Sequence, residues 1–189
     1  MTAQFFGYGS LVNLATHSYP GARPARLSGW RRVWRHSTLR PVAFLSVERH
    51  AGSEIEGVVA EVPDGDWAAL DERERAYVRR DVTDEVTHAG PRAETAVYEV
   101  HEGHLAPPDT AHPVLLSYVE TVMLGYLHIY GEAGIHRFAA STEGWHAPIM
   151  DDRDLPLYPR HQRPSEEERR FIDATIAALG CTLIAPSAL

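Results

Sequence analysis

Phe5-Phe6-Gly7-Tyr8-Gly9-Ser10-Leu11 is the stretch from which the rest of the sequence is best read. Two aromatics lead into a Gly-Tyr-Gly turn, and an apolar run (Leu11, Val12, Leu14) follows, broken only by Asn13. The pattern predicts a short buried strand ending in a turn, with Ser10 placed to cap what comes next. Gly7 and Gly9 permit backbone conformations closed to other residues and let a ligand approach the main chain. Successive amides in such a turn form an anion-binding concavity suited to a carboxylate or phosphate. An ordinary strand-turn carries the same Gly-x-Gly, so the motif alone leaves both readings open.

The totals narrow the field. A chain of 189 residues, 44% hydrophobic and 23% charged, is expected to form one soluble globular domain spanning 1–189. No apolar run approaches bilayer length and no secretory pattern opens the chain, so neither membrane association nor export is expected. A net charge of -8 argues against a general nucleic-acid binder. The local basic cluster Arg31, Arg32, Arg35 and Arg40 reads as alternating charge on a strand face. The single cysteine, Cys181, excludes an internal disulfide and suits a reducing cytoplasm. All 18 basic residues are arginine. The absence of lysine excludes both a Walker-type phosphate loop and Schiff-base chemistry.

Along the chain, 25–37, 41–48, 54–62, 78–87 and 94–101 carry strand patterns. Asp64 or Asp66 is placed to cap a helix through Trp67, Leu70 and Glu74. Helical spacing occupies 113–130, with a shorter helix over 131–140. Ser165 to Glu168 is a capping box for a last helix that stops at Gly180. Strands early and helices late predict an α+β fold, a mixed, mostly antiparallel sheet curled into a small barrel with flanking helices.

Several residues invite chemistry. The eleven histidines, including His101-Glu102-Gly103-His104, lack metal-ligand spacing, so no metal site is expected. Ser10 is not in a Gly-x-Ser-x-Gly elbow. Glu74 is the candidate acid. Helical spacing puts Leu70, Glu74 and Tyr77 on one face while Glu72, Arg73 and Arg75 reach water. A carboxyl among apolar groups has raised proton affinity, as acid–base work requires. A solvated helix laced with salt bridges has the same charge run.

Gly7-Tyr8-Gly9-Ser10-Leu11, followed by Leu70-Asp71-x-x-Glu74-x-x-Tyr77, resembles the gamma-glutamylcyclotransferase family. Ser117-Tyr118, Trp145, Asp151-Asp152-Arg153 and Leu157-Tyr158-Pro159-Arg160 resemble its bacterial members related to the glutathione-degrading branch. The resemblance implies that Gly7, Tyr8, Gly9, Ser10 and Leu11 bind the carboxylate and amine end of a γ-glutamyl group and that Glu74 is the catalytic acid–base. It further implies release of 5-oxoproline with no metal or organic cofactor. Tyr118 and Tyr8 either lend hydroxyls or fill the core. Arg153 and Arg160 either bind a second substrate carboxylate or pair with Asp151 and Asp152. Phe5, Phe6, His101 and His104 are candidates for an outer pocket. Two other readings stay open: a non-catalytic module holding a small carboxylate at Gly9-Ser10, and an amidohydrolase or acyltransferase using Ser10 as nucleophile. The cyclotransferase reading requires Glu74 to face the Gly7–Gly9 turn across a cavity of amino-acid size.

Overall fold

The computed structural model describes residues 3–36, 41–75, 77–100 and 106–186. Strand β1 (Ala3–Gly7) lies between β3 (Phe44–Val62), antiparallel to it, and β6 (Glu94–Val100), parallel to it. A strand covered on both faces needs no polar alternation. Accordingly Phe5 and Phe6 point to opposite sides, one into each of two apolar clusters. With β2 (Arg23–Arg35), β4 (Tyr77–Asp81) and β5 (Val86–His88), the sheet runs β4-β6-β1-β3-β2-β5, and β8 (Thr142–Glu143) pairs with β2. The α+β class and mainly antiparallel sheet are as expected. The pairing among described residues leaves β4 and β5 as free ends, so the curled sheet does not close into a barrel by hydrogen bonds.

The segments 41–48 and 54–62 are parts of one 19-residue strand, β3. Its register against β2 slips between Ser28 and Trp30, where Gly29 and Gly52 both adopt φ +82°, so the two strands bend together. The slip also breaks the expected alternation: Leu27 and Trp30 are both buried. The predicted strand 78–87 divides into β4 and β5 around a turn in which the Asp81 carboxylate accepts from the Thr83 amide at 2.9 Å.

Helix α1 (Ala68–Arg73) is only six residues long. The Asp66 carboxylate accepts from the Ala68 amide at its start, at 2.9 Å. A short strand β7 (Val114–Leu115) precedes helix α2 (Leu116–Ala140) and pairs with β9 (Ile149–Met150), which also pairs with β10 (Leu183–Ile184). The two helices expected over 113–140 are present as two segments of α2 that meet at Gly131, whose φ +69° and ψ -171° are not helical. Much of α2 is buried between the sheet and helix α3 (Glu166–Ala178). The capping box of α3 is present, and Gly180 with φ +69° follows its end. No helix among the described residues is long and apolar enough to cross a membrane.

The arginine cluster splits by face. Arg31 and Arg35 pair with Glu48 across the β2–β3 ladder, as alternation predicts, and Arg40 lies outside the described residues. Arg32 points the other way and is fully buried, 0% exposed. Its guanidinium donates to the Tyr8 carbonyl at 3.3 Å, to the Glu56 carbonyl, to Ser141 Oγ at 2.7 Å and to the Tyr126 hydroxyl at 2.6 Å. Tyr126 Oη stands 2.9 Å from the Tyr8 carbonyl and 2.8 Å from that of Glu56, able to donate to one of them. The charge also sits 5.0 Å from the Tyr126 ring centroid and 5.1 Å from that of Phe138. A buried cation is costly unless its donors are used. Here they fix the backbone just beyond β1. Arg32→Met is expected to lower stability on the order of 1–3 kcal/mol for each carbonyl left unpaired. An unchanged urea midpoint would contradict that role.

Candidate active site

Beyond Gly7 the chain passes through Tyr8 and Gly9 into a 3-10 turn, Ser10–Val12, closed by Val12 N–H to the Gly9 carbonyl at 3.0 Å. Ser10 is not the cap that its position suggested. Gly9 holds the cap position without a side chain, and Asn13 caps the next turn through its own side chain. Such a turn leaves its opening amides without partners inside it.

Neither Gly7 nor Gly9 takes a positive φ. The space beside the backbone requires glycine at both positions. A Cβ on Gly7 would lie 2.7 Å from Leu11 Cβ, and one on Gly9 would lie 2.7 Å from the Tyr118 hydroxyl.

Glu74 does not lie on a helix face. It is the C-cap residue of α1, with φ -102° and ψ 26°, and Tyr77 already belongs to β4. Pairing of β4 with β6 extends the chain immediately after the turn. Tertiary pairing therefore overrides the helical periodicity. The motif residues nevertheless divide the work. Leu70 is buried beneath β1, Asp71 pairs with Arg79 at 2.9 Å and accepts from the Tyr98 hydroxyl, and Glu74 and Tyr77 reach a common cavity.

That cavity has two parts. An inner recess of about 40 Å³ is lined by Gly7, Tyr8, Gly9, Ser10 and Leu11 on one side and by Glu74, Tyr77, Tyr98 and Tyr118 on others. An outer chamber of about 140 Å³ shares Ser10, Glu74, Tyr77 and Tyr118 with it and adds Phe44, Arg73, Tyr158 and Arg160 among its walls. The structure thus brings Gly7, Tyr8, Gly9, Ser10, Leu11, Glu74 and Tyr118 together around one recess. Of the aromatic pair, Phe6 lines the recess, whereas Phe5 belongs to the core. His101 and His104 lie outside the described residues.

Glu74 is 18% exposed, and its Oε1 stands 3.2 Å from Arg73 Nε. Arg73, expected in water, is only 10% exposed. It donates to the Thr16 carbonyl at 3.3 Å, and its Nη2 is buried without a hydrogen-bond partner among the described residues. Three phenols of the recess, those of Tyr8, Tyr98 and Tyr118, are held neutral. Burial, then neighbouring Tyr77 and the other charges that include Glu74, pushes Tyr8 and Tyr118 well above the ordinary tyrosine value. Burial followed by the Asp71 contact does the same for Tyr98. Tyr8 donates to the Tyr98 carbonyl at 2.6 Å, and Tyr77 to that of Leu45 at 3.1 Å.

The late motifs separate into scaffold and wall. Asp152 is buried and accepts from the Ser117 amide, the Ser117 hydroxyl and the Leu157 amide at 2.6–2.8 Å, which fastens the start of α2. Arg153 pairs with Glu120 at 2.8 Å and with Asp173, not with the acidic side chains beside it. Arg160 instead reaches the outer chamber. Phe44, Leu45, Tyr98 and Arg73 are lining residues that sequence patterns missed. The first two carried only a strand signal, and Arg73 only the signature of a solvated helix.

Among the described residues, His36, Asp109 and His112 could hold a metal by proximity, with ligand atoms within 4.8 Å of one another. The two rings are stacked 4.1 Å apart and 9° from parallel, so their in-plane lone pairs do not converge. None of the three lines the cavity.

A family model described as gamma-glutamyl cyclotransferase, AIG2-like, matches residues 5–117, and the chain belongs to that family. The match contains the turn and Glu74; Tyr118, Tyr158 and Arg160 lie beyond it. Among solved structures, one described as a gamma-glutamyl cyclotransferase is 19% identical, with 92% of this chain and 99% of that one covered and a TM-score of 0.58. An uncharacterized human protein is 18% identical, with coverage of 91% and 98% and a TM-score of 0.58. YkqA from Bacillus subtilis is 16% identical, with coverage of 74% and 53% and a TM-score of 0.56. At these identities the likeness is one of fold. No curated protein matches the sequence.

The contact between Gly9 and Tyr118 can be tested directly. Gly9→Ala is expected to cost about 1–3 kcal/mol by overpacking. In a Tyr118→Phe background, which removes the clashing oxygen, most of that cost should vanish. A double-mutant cycle showing no coupling between the two changes would refute the contact.

Proposed function

We propose that this chain catalyses intramolecular cyclisation of a small γ-glutamyl compound, releasing 5-oxoproline and an amine, with Glu74 as acid–base. One observation carries the reading. The Glu74 carboxyl and the Gly9–Leu11 turn, separated by some sixty residues of sequence, line one sheltered recess. Family membership is consistent with it.

The chemistry follows from the groups present. The Ser10 amide is directed at the Tyr118 hydroxyl, and the turn's other opening amides hold the substrate α-carboxylate. The α-amine is mostly protonated at neutral pH and must lose a proton before it can attack. The Glu74 carboxylate takes that proton. The amine nitrogen then bonds to the γ-carbonyl carbon and gives its remaining extra proton to solvent, the original amide C–N bond breaks, and the same carboxyl returns a proton to the departing nitrogen. Ring closure occurs within one molecule, so much of the acceleration comes from folding the substrate and holding it. Neutral Tyr118 is a hydroxyl donor at the wall shared by recess and chamber, placed to steady negative charge on the γ-oxygen. The Ser10-nucleophile reading has less support, because no histidine among the described residues lines the cavity to act as its base.

Release of 5-oxoproline from γ-glutamyl compounds by the purified chain is the direct assay. Glu74→Gln is expected to lower kcat about 100- to 10,000-fold with little change in binding. Undiminished turnover in that variant removes Glu74 from its role. Ligand binding without turnover by the intact chain favours a non-catalytic carboxylate-binding module.

A further inference from the structure

If the recess takes the γ-glutamyl head, the outer chamber takes the half that leaves, and its walls describe that half. On one side are Val42, Phe44 and Leu115, with the edges of Tyr118 and Tyr158 packed 5.0 Å apart by ring centroid. Phe44 is 7% exposed and Leu115 is 6% exposed, so this side is a set apolar wall. Arg160, an exposed residue with no ion pair among the described residues, lines the same chamber. Arg73 lines it as well, its charge shared with Glu74 and its Nη2 without a hydrogen-bond partner among the described residues. Two cationic groups at one opening contrast with the chain's net charge of -8.

From this juxtaposition of an apolar wall with an arginine that has no ion pair among the described residues, we infer that the chain selects γ-glutamyl compounds whose leaving group carries both a bulky apolar side chain and a free carboxylate. The inference rests on the cyclotransferase reading. Within it, Arg160 is a specificity-determining residue that binds the leaving group's carboxylate, while Phe44 and Leu115 cover its side chain. A guanidinium matches a carboxylate in shape as well as charge. Because Arg160 is exposed, solvent screening keeps its contribution moderate. An apolar wall discriminates by size through the area that it covers.

Three substrates separate the terms: γ-glutamyl-phenylalanine, γ-glutamyl-phenethylamine, which lacks the carboxylate, and γ-glutamyl-glycine, which lacks the ring. The expected kcat/KM for the phenylalanine compound exceeds that of each other compound by about ten-fold. Arg160→Gln, at an exposed position, should raise KM for the phenylalanine compound and close its gap to the phenethylamine compound. The gap to the glycine compound should survive. Equal kcat/KM for the first two substrates in the unaltered protein overturns the inference, as does an Arg160→Gln variant that slows both equally. Equal handling of phenylalanine and glycine compounds overturns its apolar half. In each of these cases 5-oxoproline still forms and the cyclotransferase reading stands. Release of 5-oxoproline from none of the three removes that reading and the selectivity with it.

Discussion

A guanidinium with no carboxylate partner among the described residues, buried beneath the first turn of the chain, is the constraint on which the site depends. Arg32 spends its donors on backbone carbonyls and two hydroxyls. The nearby Glu56 carboxylate is committed elsewhere, to Arg137 at 3.0 Å and Arg26 at 3.5 Å. Carbonyl oxygens compensate a buried charge less fully than a carboxylate does, so the arrangement holds only where several converge. Convergence requires Tyr8, at the end of β1, and Glu56, in the middle of β3, to stay fixed relative to α2, which supplies Tyr126. The charge therefore acts as a clamp on the three elements that meet at the recess.

The clamp explains why the turn can stay crowded. Glycine at position 9 is required because Tyr118 approaches from α2, and α2 is anchored at its start by buried Asp152. A recess formed in this way is set by packing from three directions. The Glu74 carboxylate comes from a fourth, the end of α1, where the chain turns into β4. Placing Glu74 at a helix end next to a strand ties its side chain to the β4–β6 pairing, and the Arg73 guanidinium beside it limits its freedom further.

Local signals survived into the structure. The apolar β1, the capping box at Ser165 and the stop at Gly180 each depend on residues within one turn or one strand, so the sequence displays them directly. The meeting of the Gly7–Leu11 turn with Glu74 was legible through motif order and separation. Other features depend on partners remote in sequence. Arg32 looks like its neighbours Arg31 and Arg35 until the β2 register is known. Arg73 and Glu74 share a charge run typical of a solvated helix, and only the shortness of α1 turns them inward. The 19 residues of β3 look like two strands because their middle is exposed and contains Gly52. The split of the late motif into structural Asp152 and Arg153 and chamber-lining Arg160 likewise follows from where α2 and α3 lie.

The most direct measurement is a structure of the chain with bound 5-oxoproline. The account predicts the product's carboxylate on the backbone amides of the Gly9–Leu11 turn, its ring nitrogen roughly 3 Å from a Glu74 carboxyl oxygen, within hydrogen-bond reach. A product bound away from that turn, or a Glu74 side chain directed out of the recess when the product occupies it, would contradict the account.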